Sequence, residues 1–284
     1  SGVSAPTEIR DIRGTLANMR AVKDGFEIDL MRRAAEISSD AHIRAMRVTR
    51  PDMMEYEVEA ELLHEFKRRG AYDVAYGSIV AGGANACILH YQSNNQRLRE
   101  GDLLLIDAGC ELEGYASDIT RTFPINGKFS GPQKAIYEVV LASQLAAIAA
   151  VQPGARFGDY HDAATRVLVQ GLVDLKLLKG TVDGLIESGK YKQFYMHRAG
   201  HWLGLDVHDA GDYRQGGEWV KLCPGMVVTV EPGCYIRPAK NVPKAFWNIG
   251  VRIEDDVLVT ARGHDILTER CPKSVADVEA ACLR

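Results

Sequence analysis

The sequence predicts an α+β fold. Three observations carry it: apolar stripes at helical spacing, β-rich runs that end in glycine or proline, and no strict strand-helix alternation that would wind a parallel sheet. Taking the elements in order, apolar residues recur at Phe26, Leu30, Ala34, Ile37, Ala41, Ala45 and Val48, a single stripe closed by Pro51, and predict a helix. A second helix is expected from about Glu55 to Arg69, stopped by Gly70. VAYGSIVAGG (74–83) and LLLIDAG (103–109) read as strands, followed by a turn, ELEG, and another strand, YASDITRTF (115–123). Ser130, Pro132 and Gln133 form a capping-box start for a helix ending near Gln152-Pro153-Gly154. A further helix is expected from about Asp159 to Leu177. Strands return in MVVTVEPGCYI (226–236) and VRIEDDVLVT (251–260), separated by the loop RPAKNVPKAFWN. There is no repeat period and no low-complexity tract.

Composition narrows the function. The 284 residues carry 34 basic against 38 acidic side chains, a net charge of −4, which disfavours nucleic acid and anionic lipid as partners. The longest charge-free apolar stretch, between Glu138 and Arg156, is interrupted by Ser143, Gln144, Gln152 and Pro153, and reads as a core helix rather than a membrane span. The first twenty residues lack the apolar core of a secretory signal, and the opening Ser-Gly without Met predicts processing or a fragment. Six scattered cysteines with no C-x-x-C pair predict reduced thiols and a cytoplasmic location. A core of this size needs neither disulfides nor a structural metal.

Several acids sit where acids are costly. Asp107 and Asp118 interrupt apolar β runs, where an ionised carboxylate needs a partner or a metal. A turn centred on Leu112-Glu113 would set the two opposite each other, with Cβ atoms about 5 Å apart. The plainer reading is a turn-capping Asp and a half-exposed edge Asp. Glu231 ends the run VVTVEPG; Glu254 lies in VRIEDD, with Arg252 on the same face as a candidate ion-pair partner. Asp255 and Asp256 read as a solvated edge. His197, His201 and His208 cluster in MHRAGHWLGLDVHD, which is not the H-E-x-x-H zinc helix. The seven-residue step from His201 to His208 requires a bend if both serve one site. His90, in CILHYQ, is undecided alone. Four carboxylates plus histidine, without thiolates, describe a hard, oxygen-rich site suited to Mn²⁺ or Mg²⁺.

As an ordered set, ILHY, LIDAG, SDITRTFP, HWLGLDVHD, TVEPG and VRIEDD resemble the pita-bread (M24) metallopeptidases, nearest to the branch acting on Xaa-Pro bonds. The resemblance runs from about Met19 to the C-terminus. It implies a curved antiparallel sheet flanked by helices, in two pseudo-symmetric halves around two divalent ions, usually Mn²⁺. It implies Asp107, Asp118, His201, Glu231 and Glu254 as ligands, with Asp118 and Glu254 bridging. Glu231 would also be the base toward the bridging water, His208 would stabilise the oxyanion, and His90 would contact substrate and handle protons. Arg252 would orient a ligand carboxylate, and His197 would line the proline pocket. The activity implied is hydrolysis of the bond between an N-terminal residue and a following proline. A prolidase restricted to Xaa-Pro dipeptides, a methionine aminopeptidase and an inactive peptide-binding module are the alternatives.

Two departures stand out. Relatives carry glycine where this chain has Arg198, a cation expected to alter access or read an acidic group. Relatives also carry a preceding N-terminal domain; here 1–20 reads as a linker remnant and 21–284 as the catalytic domain, with homo-oligomerisation an open expectation.

Overall fold

A computed structural model describes residues 7–283; the first six residues of the expected linker lie outside the described part. The chain opens with α1 (Arg13–Ala21), followed by α2 (Gly25–Val48) and α3 (Glu55–Arg68). Helix α2 starts at a reciprocal cap: Asp24 accepts from the Glu27 amide at 2.9 Å, and the Glu27 carboxylate accepts from the Asp24 amide at 2.7 Å. Its predicted stripe is buried from Leu30 to Ala45, while Phe26, in the first turn, is exposed.

Strands β1 (Asp73–Val74), β2 (Ile79–Gly82), β3 (Leu103–Asp107), β4 (Cys110–Leu112), β5 (Tyr115–Ala116) and β6 (Thr120–Pro124) complete the first half. The second half repeats the order of a helix pair and then antiparallel strands. It consists of α4 (Gly131–Ala150), α5 (Asp159–Asp174), a short α6 (Val182–Glu187), β7 (Arg214–Gln215), β8 (Glu218–Trp219), β9 (Val227–Val230), β10 (Gly233–Ile236), β11 (Ile249–Arg252), β12 (Asp255–Thr260), β13 (Gly263–Ile266) and α7 (Val275–Ala281). The sheets run β2-β3-β6 and β13-β12-β9, with β10 paired to β11, and every pairing is antiparallel. The halves meet where the Glu254 amide donates to the Thr120 carbonyl and the Thr122 hydroxyl bonds the Arg252 backbone. No helix among the described residues is long and apolar enough to cross a membrane.

Three expectations change. The hairpin pairs Leu112 with Tyr115 and Asp107 with Thr120, so Asp107 does not face Asp118. Its turn is centred on Glu113-Gly114, both at positive φ, because a two-residue hairpin turn of this hand needs a residue free of Cβ strain and Gly114 supplies it. Asp118 therefore lies diagonal to Asp107 on the same face. Second, the runs read as single strands break, at 117–119 and at Ile253-Glu254. At the first break the chain crosses so close that a Cβ on Gly109 would lie 1.7 Å from the Ser117 carbonyl oxygen. Third, Asp255 and Asp256 are not a solvated edge: both are buried, because β12 is the central strand between β13 and β9.

Candidate active site

The strand ends and breaks deliver the acids to one place. Asp107 ends β3, Asp118 and Glu254 occupy the two breaks, and Glu231 follows the last residue of β9. Where a ladder stops, a side chain can leave the sheet without opposing a paired neighbour, and here all four line a cavity of about 1030 Å³. His201 arrives on an irregular segment that runs antiparallel along β9: the Glu231 amide donates to the Ala199 carbonyl, and the Thr229 amide to the His201 carbonyl. That register sets His201 and Glu231 on one face.

The cluster is tight. Asp118, His201 and Glu254 each offer a ligand atom within 4.8 Å of the others. His201 Nε2 lies 3.4 Å from Asp118 Oδ2 and 3.5 Å from Glu231 Oε1. Its Nδ1 donates to the Trp202 carbonyl at 2.9 Å, which fixes the ring and points Nε2 at the acids. Burial raises the pKa of Asp118, pushes Glu231 up to about 7 and drives Glu254 well above its ordinary range, and the acids' mutual repulsion adds to this for each. Burial alone would lower His201, but Asp118 and Glu231 overcome it and hold the imidazole up to about 9. The three acids thus call for positive charge among them, and the raised His201 answers the same demand. Oxygen donors and one imidazole, with Nε2 facing the acids, fit a hard divalent cation.

Tyrosine and arginine hold the frame. The Tyr76 hydroxyl is 2.6 Å from Asp107 Oδ1 and 2.5 Å from Asp118 Oδ1. Its single proton can serve one of them at a time. Arg252 Nη2 donates to Asp107 Oδ2 at 2.5 Å, Nη1 to the Tyr235 hydroxyl at 2.9 Å, and Nε to the Thr120 hydroxyl at 3.1 Å. Thr120 in turn donates to Glu254 at 2.5 Å. The expectation that Arg252 pairs with Glu254 is replaced by this division: Arg252 grips Asp107 directly and reaches Glu254 only through Thr120.

Of the remaining histidines, His197 is bound at both nitrogens. Its Nδ1 donates to the Arg198 carbonyl at 2.7 Å and its Nε2 accepts from Tyr235 at 2.8 Å, while burial, with Arg252 nearby, pushes its pKa down to about 3. It is a neutral ring between Tyr195 and Tyr235. The bend required between His201 and His208 is present, with ring centroids 4.3 Å apart and nearly perpendicular. His208 sits beside Asp209, a buried carboxylate held by Lys23 at 3.0 Å and by Arg20. His90 lines the cavity on a loop fastened by the buried Glu55, which accepts from the Gly82 amide, Asn85, Tyr91 and the Gln96 amide. The structure thus brings every predicted site residue to this cavity. Tyr76 also lines it, and Thr120 and Tyr235 stand behind it bonded to Arg252, none of the three having been expected. Their only sequence signal is a polar tip inside a β-rich run, which any half-buried strand also shows.

The model of metallopeptidase family M24 matches residues 29–261. This chain belongs to that family. Among M24 relatives it is 55% identical, over 96% of its length, to an Xaa-Pro aminopeptidase of Haemophilus influenzae, and covers 63% of that protein. The solved structure of Pseudomonas aeruginosa aminopeptidase PepP superposes with a TM-score of 0.97 at 56% identity, covering 99% of this chain and 64% of that one. Aminopeptidase P of Escherichia coli with the inhibitor Pro-Leu gives 0.95 at 47% identity, over 99% and 64%. The chain therefore spans under two thirds of these relatives' lengths, and its helix-flanked antiparallel sheets are the pita-bread fold of the M24 peptidases.

Proposed function

We propose that this chain hydrolyses the peptide bond between an N-terminal residue and a following proline, with 21–284 as the catalytic domain and two divalent ions, Mn²⁺ foremost, as cofactors. The observation that carries the reading is the buried Asp118–His201–Glu254 cluster, closed in by Asp107 and Glu231, in a chain 55% identical to an Xaa-Pro aminopeptidase. Asp107, Asp118, His201, Glu231 and Glu254 would hold the ions; four carboxylates and no thiolate support a hard metal. Bound there, divalent ions supply Lewis acidity and make water a nucleophile near neutral pH.

The chain's own groups do the rest. Glu231 is the base toward the attacking water, its carboxylate standing at the cavity wall 3.5 Å from His201 Nε2. His208, exposed to the cavity and not held by another side chain's hydrogen bond, donates to the oxygen that gains charge as the carbonyl is attacked. Arg252 holds the Asp107 carboxylate in place through a direct hydrogen bond. The neutral His197 ring lines the cavity and, fixed from behind by Tyr195 and Tyr235, offers a rigid face suited to a proline ring. His90 faces the cavity from the opposite loop, where it contacts the peptide and handles protons. Six free thiols, four of them buried, support a reducing, cytoplasmic setting.

The test strips the protein with chelator, restores Mn²⁺, and compares an Xaa-Pro-Yaa tripeptide with the Xaa-Pro dipeptide. Tripeptide cleavage restored by Mn²⁺ is expected. Dipeptide-only cleavage would make the chain a prolidase, and metal binding without turnover of either would make it a peptide-binding module.

A further inference from the structure

The cavity has a second chemistry away from the acids. Its wall carries Arg198, Arg214, Tyr213 and Trp219, on the side bounded by the β7-β8 hairpin. The hairpin turns through Gly216-Gly217, both at positive φ, and its register sets Arg214 directly across from Trp219. The guanidinium carbon of Arg214 lies 4.1 Å from the Trp219 ring centroid and that of Arg198 4.9 Å. Trp219 is itself fixed: a Cβ on Gly158 would fall 2.6 Å from its indole nitrogen, and the Phe157 ring lies stacked 6.1 Å away.

Two cations share one aromatic ring, and among the described residues neither has a carboxylate partner. Among the described residues the Arg214 side chain donates once, to the Gly217 carbonyl, and the Arg198 side chain makes only the ring contact. Asp162 borders the small recess beside Arg198 without pairing with it. Arg252, the remaining cavity arginine, is by contrast engaged at all three nitrogens. A guanidinium laid on a ring is held by its face and keeps its edge N–H groups free, the arrangement that takes a carboxylate through two parallel hydrogen bonds. Like charges gathered beside one ring, unneutralised, favour an anion from outside.

We propose that Arg198 and Arg214, mounted on Trp219, form a carboxylate-binding clip that makes the enzyme favour peptides bearing an acidic group beyond the reacting bond. The inference rests on the peptidase reading above. The carboxylate is either an acidic side chain or the peptide's own C-terminus.

The experiment uses two matched pairs of Xaa-Pro peptides on the Mn²⁺-loaded protein. One is Xaa-Pro-Glu against Xaa-Pro-Gln, both as C-terminal amides; the other is Xaa-Pro-Ala as free acid against its amide. Both kcat/KM and calorimetric affinity are read for each. The acidic member of at least one pair is expected to win about tenfold, the scale of one charge-assisted contact, and to lose that advantage in 1 M salt, because the clip is exposed. A preference in the first pair alone assigns a side chain, in the second alone the C-terminus, and in both either source. Arg198→Gln and Arg214→Gln should each shrink the acid-to-neutral ratio, and Arg198→Lys should restore it only in part. Equal treatment of both members of both pairs, or a preference that neither Gln variant alters, would overturn the inference. If no peptide is cleaved, the peptidase reading fails, while the affinities still decide for or against the clip. Arg198 lies on an irregular segment and Arg214 on β7, so misfolding of one variant leaves the other decisive.

Discussion

Glu254 turns toward the cavity beside Thr120, whereas Asp255, the next residue, turns away from it beside Arg121. Both are buried, at 2% and 0% exposure, yet their surroundings are opposite. Asp255 accepts from Arg121 at 2.7 Å, Lys273 and Gln144 at 2.6 Å, and Thr268 at 2.8 Å. Burial alone would raise its pKa, but the two cations hold it far below the ordinary carboxylate range. Glu254 meets Asp118, Glu231 and Asp107 instead, and burial among like charges drives it well above that range. Where the fold supplies its own cation, a buried acid is architecture; where it gathers acids without one, the charge must come from a ligand.

The largest expected effect lies on the cavity side. Glu231→Ala, which removes both a proposed ligand and the proposed base, should cut kcat/KM by about 10³-fold or more, while the chelated protein melts no earlier than the parent. Near-normal hydrolysis would break the assignment of the site. On the other side the result should invert: Asp255→Ala strands the fully buried Arg121 and should cost about 3–5 kcal/mol, read by urea unfolding. A destabilisation no larger than that of Glu254→Ala would remove the distinction between the two acids.

A smaller effect sharpens the comparison from a third buried ionisable group. His42, in the interior of α2, bonds the Ala108 carbonyl at 3.0 Å and meets no carboxylate in contact, and burial pushes its pKa down to about 4. The folded state holds its neutral form, so its contribution is complete above the unfolded pKa near 6.5 and is lost as pH falls from there toward 4. Between pH 7 and 5 the parent should therefore lose up to about 2 kcal/mol more stability than His42→Gln. Parallel curves for the two proteins would show that His42 is not held neutral by the fold.

Much of this architecture is legible in the amino-acid sequence. The helices of 25–48, 55–68 and 131–150 follow from their stripes and caps, because those signals are local. The four site acids stand out as charges in apolar β runs, and the ordered motifs point to the family that the comparisons show. The departures have different causes. Asp255 reads as solvated because its partners, Arg121 and Lys273, lie elsewhere in the chain. The expected hairpin register slips because it centres the turn one residue early, at Leu112-Glu113 instead of Glu113-Gly114. Tyr76 and Tyr235 carry no distinctive signal, because a tyrosine in a β-rich run is ordinary until its hydroxyl stands against two acids or an arginine.

By itself the sequence determined where helices begin, which runs form strands, and which acids could not rest in a plain core, since propensity, capping and hydrophobic period act over a few residues. Only the tertiary structure decided that Thr120 meets Glu254 and Arg121 meets Asp255, that His201 lies along β9 beside Glu231, and that two arginines share Trp219. Those pairings join segments far apart in the chain. The energy of a buried charge depends on what stands within a few ångströms of it, which no local pattern records.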